Sequence, residues 1–345
     1  MSKKLLRTLA GEPVWPPPIW LMRQAGRYLP EYRAIRATVP DFIALCTTPK
    51  LAAEVTLQPI RRYTLDAAIL FSDILILPWA LGQGLEFKEG EGPVLPPIRD
   101  AAGFGALGMA KVAEKTAPVM ETIRLVRAGL RAEEFSATAL IGFAGAPFTV
   151  ACYMVEGAGS RDFAATRAMA YQNPSLFDAI VDLVTEGTIQ YLRAQAEAGA
   201  ETLMLFDSWA GVLSPAHFRR YVIEPAKQIV AALREDYPYL PIIGFPRMAG
   251  LSLAAYAAET GVNAVGLDTS MDLLLAAPLL PKTVAAQGNL DPLALVAGGE
   301  AMESGARAIL SAMQGRPFIF NLGHGIVPQT SPEHVAALVE LVRAS

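Results

Sequence analysis

Eight short runs of apolar residues recur along the chain, without the alternation of polar and apolar positions that marks a half-exposed strand. The runs cover residues 19–22, 67–71, 140–143, 203–206, 242–245, 264–267, 284–286 and 318–320. Strands that are apolar throughout are typical of parallel sheets covered by helices on both faces. The pattern therefore predicts eight parallel strands.

Helical patterns lie between most of these strands, and five helix starts are marked by a polar residue followed by proline. These pairs are Thr48-Pro49, Asn173-Pro174, Ser214-Pro215, Asp291-Pro292 and Ser331-Pro332. The polar residue suits the N-cap and proline suits the first turn. Helices are predicted from 48 to about 63, from 176 to 198 and from 218 to 234.

This alternation predicts a closed (β/α)8 barrel, also called a TIM barrel, formed by a single domain over residues 1–345. The alternative is an open doubly wound sheet, which usually carries a glycine-rich nucleotide loop after its first strand. No G-x-G-x-x-G or P-loop sequence is present. Residues 82–99, rich in glycine and proline, are predicted to form a hairpin or flap inserted after the second strand.

Residues 135–155 are uncharged, but the glycines and proline within them favour strand, turn and helix start over a membrane span.

Composition limits the possible functions. With 52% hydrophobic and 18% charged residues, the chain can bury a large core. A net charge of −4 argues against nucleic acid or an anionic membrane as the main partner. Two cysteines, Cys46 and Cys152, form no disulfide framework, and the first residues contain no apolar stretch long enough for a secretory signal. We therefore expect a protein of the reducing cytosol.

A basic segment directly follows the first predicted strand. Residues 23–36 contain four arginines and one acid: Arg23, Arg27, Arg33, Arg36 and Glu31. Gly26 permits a tight turn, and Pro30 is expected to end any helix that starts there. Guanidinium groups bind carboxylate or phosphate oxygens two at a time, so the segment predicts a pocket for an anion with several charges. The alternative is a solvated basic loop paired with surface acids.

The loops that follow the strands form the active site in barrels of this type. The polar residues that follow the eight runs are Arg23 and Arg27, Ser72 and Asp73, Tyr153, Asp207 and Ser208, Arg247, Asp268, Asn289 and Asp291, and His324. No lysine stands at a strand end, and the chain has only three histidines, so neither a Schiff base nor a histidine-rich metal site is expected. These groups suit an anionic substrate that is held and protonated without metal.

Four of these residues also have structural interpretations. Asp73 could cap the following helix, Ser208 could be a turn residue, and Tyr153 could be a half-buried core aromatic. His324 lies between Gly323 and Gly325, where little packing would hold it in a core. That loop could instead bind phosphate through its backbone amides.

Several motifs resemble those of the uroporphyrinogen decarboxylase family. They are Met22-Arg23-Gln24-Ala25-Gly26-Arg27-Tyr28-Leu29-Pro30-Glu31, Phe71-Ser72-Asp73-Ile74, Gly145-Ala146-Pro147-Phe148-Thr149, Tyr153-Met154-Val155-Glu156-Gly157, Gly288-Asn289-Leu290-Asp291 and Asn321-Leu322-Gly323-His324-Gly325. The similarity spans about residues 15 to 340. The ten-residue arginine motif is specific, whereas Gly-Asn-Leu-Asp alone would be weak.

The resemblance implies a cytosolic homodimer of single-domain barrels that needs neither a metal nor an organic cofactor. The family reaction removes carbon dioxide from the four acetate side chains of uroporphyrinogen III, a tetrapyrrole, and gives coproporphyrinogen III. The implied substrate-contacting residues are Arg23, Gln24, Ala25, Gly26, Arg27, Asp73, Tyr153, Ser208 and His324, with Phe206 as pocket wall and Arg36 as a further carboxylate partner. Phe245-Pro246-Arg247 departs from the Phe-Ala-Lys often seen in the family, which leaves the role of Arg247 open.

The implied catalytic residues are Asp73, Arg23, Arg27, Tyr153 and His324. Asp73 would accept the pyrrole N–H groups and stabilise the cation formed when a ring carbon is protonated. Arginine loses its proton only above about pH 12, so His324 or a water held by Tyr153 is the better expected proton donor. Two other functions stay open: a zinc-dependent barrel that transfers methyl groups to or from a corrinoid, and a tetrapyrrole carrier without catalysis.

Overall fold

The computed structural model describes residues 3–88 and 92–345, and within them the chain forms one curled parallel sheet and one hairpin. The strands are β1 (Ala67–Ile69), β2 (Glu86–Lys88), β3 (Gly92–Val94), β4 (Ala139–Gly145), β5 (Thr202–Asp207), β6 (Ile242–Pro246), β7 (Ala264–Gly266), β8 (Ala285–Leu290) and β9 (Phe318–Leu322). The sheet order is β1-β4-β5-β6-β7-β8-β9, so each parallel strand pairs with the next one along the chain. The predicted barrel fold is confirmed.

Helices surround this sheet. They are α1 (Lys4–Leu9), α2 (Pro30–Arg36), α3 (Phe42–Cys46), α4 (Pro49–Tyr63), α5 (Ile76–Leu81), α6 (Ala101–Gly105), α7 (Val112–Ala132), α8 (Pro147–Glu156), α9 (Ala164–Gln172), α10 (Pro174–Ala198), α11 (Pro215–Phe218), α12 (Glu224–Asp236), α13 (Ser252–Glu259), α14 (Leu273–Ala276), α15 (Pro292–Ala297), α16 (Gly299–Met313) and α17 (Pro332–Arg343). A π-helical turn, Arg219–Ile223, joins α11 to α12.

All five predicted helix starts are confirmed, with proline in the first turn each time. Asn173, Asp291 and Ser331 also cap their helices through the side chain. Thr48 does not, because its hydroxyl donates to the carbonyl of Ala44 at 2.7 Å. Proline was therefore the more reliable of the two signals. It was misinterpreted at Pro30, which begins α2 instead of ending a helix, because its missing N–H costs nothing in the first turn.

The first predicted strand, 19–22, is not a strand of the sheet. The segment makes one isolated parallel bridge, Ile19 to Phe320. The Ile19 carbonyl accepts the Asp66 backbone N–H at 3.0 Å, and the Asp66 carboxylate accepts the Ile19 N–H at 2.9 Å. Ile19 thus closes the barrel between β9 and β1. A longer ladder is prevented because residues 16–18 are prolines without N–H donors and the Asn321 side chain takes the Met22 N–H at 3.0 Å.

The predicted insertion at 82–99 contains the antiparallel hairpin β2–β3, paired from Glu86 with Val94 to Lys88 with Gly92. Residues 89–91, which connect the two strands in sequence, lie outside the described residues. The chain after β3 is fixed to α8, because the Leu95 N–H donates to the Gly157 carbonyl at 2.7 Å. Whether this segment acts as a lid stays a prediction.

Residues 135–155 form β4 and the start of α8, as predicted. Within the described residues, the structure contains no helix whose length and apolar content would let it span a membrane.

The polar content of the sheet is concentrated at one edge. Asp207, Asp268, Asn289 and Asn321 are all buried at or just beyond the carboxyl ends of their strands. Most of the remaining sheet is apolar and belongs to one continuous core. Because parallel strands end on the same side, these side chains surround a single mouth of the barrel.

Candidate active site at the barrel mouth

The arginine motif forms a turn that is fixed to the barrel by Gln24. The Gln24 side-chain oxygen accepts the Leu21 N–H at 3.1 Å, and its amide nitrogen donates to the Ala67 carbonyl of β1 at 3.0 Å. Gln24 is fully buried, with both ends of its side chain bonded to the main chain. Ala25 is half-buried in the same turn. The predicted substrate contacts of Gln24 and Ala25 stay predictions.

Two glycines leave room for Arg23, whose backbone lies in the left-handed region at φ 61°. A β-carbon on Gly26 would lie 2.9 Å from the Arg23 carbonyl oxygen, closer than real contacts allow. A β-carbon on Gly325 would lie 2.7 Å from Arg23 Cγ and 3.0 Å from Nε. The Arg23 side chain therefore crosses directly over Gly325, next to His324.

The guanidinium groups of this segment are not neutralised by nearby acids. In residues 3–88 and 92–345, no carboxylate oxygen lies within 4.0 Å of Arg23, Arg27 or Arg36. The one acid of the segment, Glu31, pairs with Arg62 at 2.8 Å. The alternative of a basic loop paired with surface acids therefore does not hold for these three arginines.

Arg27 and Arg36 lie beside Tyr32 on α2. Burial raises the pKa of the Tyr32 hydroxyl, and the positive charges of Arg36 and Arg27 partly offset that effect. Arg36 also donates to the Val39 carbonyl at 3.1 Å. Arg27 is exposed and Arg36 is half-buried, so both can still receive an anion.

Asp73 follows β1 and is the main acidic group of the mouth. Its Oδ1 accepts the Leu75 N–H at 2.8 Å, but Leu75 is itself the N-cap of α5 and that helix has no side-chain cap. The interpretation of Asp73 as a helix cap is therefore wrong, and the bond instead closes the turn before α5. Burial raises the pKa of this carboxyl to about 6, against the opposing effects of the Leu75 N–H and the Arg23 guanidinium. Asp73 therefore shares its surroundings with Arg23.

Tyr153, on α8, is part of the same group. Burial raises the pKa of its hydroxyl, Trp209 lowers it, Asp73 raises it and Arg23 lowers it. The Tyr153 ring packs edge-on against Phe163 and Trp209, with centroids 6.1 and 6.4 Å apart. Although Trp209 lies close, its buried indole N–H has no acceptor in hydrogen-bonding geometry within residues 3–88 and 92–345.

Phe206, at the end of β5, forms a half-buried apolar wall. Its ring packs edge-on against Phe143 at 5.4 Å and Phe245 at 6.2 Å between centroids. These contacts fix the orientation of the ring while one side stays accessible. The position suits the predicted role of Phe206 as pocket wall.

Ser208 is held in place by its neighbours. Asp207 accepts a hydrogen bond from the Thr149 hydroxyl at 2.5 Å, and the same hydroxyl oxygen accepts the Trp209 backbone N–H at 3.0 Å. Burial raises the pKa of the Asp207 carboxyl to about 7. Ser208, half-buried between Asp207 and Trp209, is thus on a turn clamped to α8.

His324 is neutral at physiological pH. Burial and the positive charges of Arg247 and Arg23 together lower the pKa of its imidazole to about 4, and the opposing effect of the nearby Asp268 is smaller. It is therefore not an additional cation, although its ring N–H can still donate a hydrogen bond.

The uroporphyrinogen decarboxylase (URO-D) family model matches residues 1–345. The chain belongs to the uroporphyrinogen decarboxylase family. It is 60% identical over 343 residues to "Uroporphyrinogen decarboxylase" of Granulibacter bethesdensis, covering 99% of both chains. It is 58% identical to the protein of that name from Gluconacetobacter diazotrophicus, covering 99% of this chain and 98% of the relative. The resemblance stated from the motifs is confirmed.

A solved structure shares the fold at much lower identity. A methyltransferase from Methanosarcina mazei superposes with a TM-score of 0.81 at 21% identity, covering 100% of this chain and 99% of its own. At that identity the similarity concerns the fold alone. The barrel of this uroporphyrinogen decarboxylase family member thus also occurs in a protein with a different activity.

The structure adds residues that the family motifs did not select. Asp207, Arg247 and Asp268 each lie at the mouth within one or two positions of a strand end, which was the signal available in the sequence. Trp209 also lies two positions after a strand end, but it was not selected because only polar residues were taken from these positions. Its place depends on the turn after β5.

Proposed function

We propose that this chain is a carboxy-lyase that converts uroporphyrinogen III to coproporphyrinogen III by removing the carboxyl groups of four acetate side chains. The observation that carries the proposal is the half-buried carboxyl of Asp73, with its raised pKa, near the guanidinium of Arg23 at the mouth of the barrel. Membership of the uroporphyrinogen decarboxylase family supports it.

Charge complementarity supports the choice of substrate. Uroporphyrinogen carries eight carboxylates, and Arg23, Arg27 and Arg36 offer guanidiniums without an acid partner. Each can bind a carboxylate through two parallel N–H groups. Four pyrrole N–H groups point to the centre of the macrocycle, where Asp73 has one oxygen besides the one bonded to Leu75. Phe206 would pack against the apolar part of the macrocycle.

The chemistry follows from that placement. A pyrrole acetate cannot simply lose carbon dioxide, because the carbanion left behind would be too unstable. If the ring carbon is protonated first, the ring becomes a cationic iminium. The bond between the methylene and the carboxylate then breaks, its electron pair neutralises the iminium, and carbon dioxide leaves. Protonation of the methylene and loss of the added ring proton give a methyl-pyrrole. Asp73 would stabilise the cation through a charge fixed before reaction.

The proton donor is more restricted than the sequence suggested. Arg23 holds its proton too tightly at neutral pH. His324, with its pKa lowered to about 4, carries no proton beyond that of a neutral imidazole. A water held between the Tyr153 hydroxyl and Asp73 is therefore the donor we favour.

The alternative functions are less well supported. In the described part of the chain, no three histidine, cysteine, aspartate or glutamate side chains are grouped to hold a metal ion, so a zinc site for corrinoid methyl transfer has no ligand set. A carrier would not need a carboxyl whose burial raises its pKa to about 6. We propose a reaction without metal or organic cofactor.

We also propose a cytoplasmic homodimer. Four leucines on segments that follow β6, β7 and β8 are strongly exposed at the mouth end: Leu251 (88%), Leu274 (71%), Leu275 (71%) and Leu293 (66%). Exposed apolar side chains of this number at one end are typical of a protein interface. Analytical ultracentrifugation of the wild type and Leu274→Glu tests this, since a monomeric wild type would contradict it. Cys46 and Cys152 are buried free cysteines.

The decisive experiment is an anaerobic incubation with uroporphyrinogen III, followed by oxidation and chromatography of the porphyrins. Coproporphyrin III with release of carbon dioxide is expected. Tight binding without product would indicate a carrier, and neither binding nor product would contradict the proposal. Zinc analysis of the purified protein tests the methyl-transfer alternative directly.

A further inference from the structure

Loops from different strands meet around His324. A β-carbon on Gly323 would lie 2.7 Å from the Thr269 Cα, so the loop after β9 packs directly on the loop after β7. On the other side, Gly325 lies against the Arg23 side chain. His324 is therefore held between the arginine turn and the loop after β7.

The loop after β6 joins this group and carries Arg247. The Arg247 N–H donates to the Asp207 carbonyl at 3.1 Å, and its own carbonyl accepts the Gly211 N–H at 3.1 Å. The next residue, Met248, has φ 59° and donates its N–H to the Asp268 carboxylate at 2.7 Å. The Arg247 side chain thus starts from a backbone that is fixed on both sides.

The Arg247 guanidinium has no acid partner. In residues 3–88 and 92–345, no carboxylate oxygen lies within 4.0 Å of it, although the residue is half-buried. Asp268, the nearby acid, already accepts from the Met248 N–H and from the Ser270 N–H and hydroxyl at 2.9 and 2.5 Å. Three of the about four lone pairs of this carboxylate are thus taken by these donors, and it forms no ion pair with Arg247, so the charge of Arg247 is available to a ligand.

We propose that Arg247, Arg23 and the ring N–H of His324 together bind one side-chain carboxylate of the substrate. Both guanidiniums lie near the same imidazole, and the Arg23 side chain crosses directly over the neighbouring Gly325. A neutral imidazole beside two guanidiniums completes a set of donors around one carboxylate. The identity of that carboxylate as part of a tetrapyrrole rests on the proposed function. The proposal that these three residues bind a carboxylate does not depend on the proposed function.

The first test is steady-state kinetics with uroporphyrinogen III under anaerobic conditions. Arg247→Gln is expected to raise KM about ten- to a hundredfold, the usual effect of losing hydrogen bonds to a charged group. Arg247→Lys, which keeps the charge but not the planar fork, should recover part of that loss. Arg307→Gln removes the same charge from the outer helix α16 and should leave KM unchanged. An unchanged KM in Arg247→Gln, or no recovery with lysine, would overturn the proposal.

The second test needs no turnover. The chain has three histidines, so the imidazole signals can be resolved by NMR and His324 assigned with His324→Gln. Arg247→Gln should raise the pKa of His324 in the ligand-free protein. Added propionate should raise it in the wild type and much less in Arg247→Gln. No response of His324 to the substitution or to propionate would refute the site, whereas a response without decarboxylation in the wild type would refute only the proposed function.

Discussion

Replacing Asp73 by asparagine should separate stability from activity. Asparagine keeps the side-chain oxygen that accepts the Leu75 N–H at 2.8 Å, so the local turn is preserved. What the substitution removes is the negative charge. In the folded protein burial disfavours that charge, whereas the proposed reaction requires it.

The magnitude follows from the pKa of Asp73, which burial raises from 3.8 to about 6. Between these two pH values the folded protein retains a proton that the unfolded chain has lost, so the free energy of unfolding decreases as pH rises. Each pKa unit corresponds to about 1.4 kcal/mol, so above pH 6 the ionised carboxyl lowers the free energy of unfolding by about 3 kcal/mol. Asp73→Asn should therefore be more stable than the wild type by up to about that amount at pH 8, and similar to it below pH 3.8.

Urea unfolding at pH 8 and at pH 3.5 measures this difference, and anaerobic turnover of uroporphyrinogen III measures activity. A loss of about 10²- to 10³-fold in kcat is expected, comparable to removing one preorganised electrostatic group elsewhere. In the wild type, kcat/KM should fall below about pH 6 as Asp73 is protonated, and the variant should lack this ionisation. Wild-type turnover in Asp73→Asn would refute the mechanism. A variant less stable than the wild type at pH 8 would refute the assignment of its pKa to burial.

Three further substitutions test the structure around this group. Arg23→Ala should raise KM and lower kcat together, and normal kinetics would mean that the arginine turn does not bind substrate. Gly325→Ala should place a methyl group on the Arg23 side chain and reproduce much of that defect at unchanged melting temperature, whereas Gly105→Ala, in open space, should not. Asp66→Ala should leave the buried Ile19 N–H without its acceptor and lower the free energy of unfolding by about 1–3 kcal/mol in urea, while an unchanged value would mean that this bond does not stabilise the barrel closure.

The fold was predictable because its signals are local. Continuous apolar runs marked the strands of the sheet, and proline marked helix starts whether or not the preceding residue capped them. The first strand was predicted wrongly because the same apolar pattern also describes a buried segment that closes the barrel through single contacts. The Ile19 N–H donates to the side chain of Asp66, 47 positions along the chain. A single contact of this kind leaves no periodic pattern in the sequence by which it could be predicted.

The site was predictable to the extent that strand ends and family motifs select residues. The protonation states of these residues could not be predicted, because they depend on burial and on charges that folding brings together. His324 was one of the two expected proton donors, yet burial and two guanidiniums from separate loops keep it neutral. The role of Arg247 could not be predicted either, because it follows the strand end where the sequence departs from the family motif. Only the structure shows that Asp268 is occupied by other donors.

The relation between Arg23 and Asp73 explains why both charges are available to a substrate. In residues 3–88 and 92–345 no carboxylate oxygen lies within 4.0 Å of Arg23, so the guanidinium acts on Asp73 only at a distance. Burial outweighs this attraction and raises the pKa of Asp73 to about 6. Arg23 is therefore free to bind a carboxylate, and Asp73 is free to accept pyrrole N–H groups. When a substrate carboxylate neutralises Arg23, that distant attraction is lost, and donors from the pyrroles must replace it to keep Asp73 ionised. A substrate with carboxylates at its rim and N–H groups at its centre satisfies both requirements, whereas a simple polycarboxylate satisfies only the first.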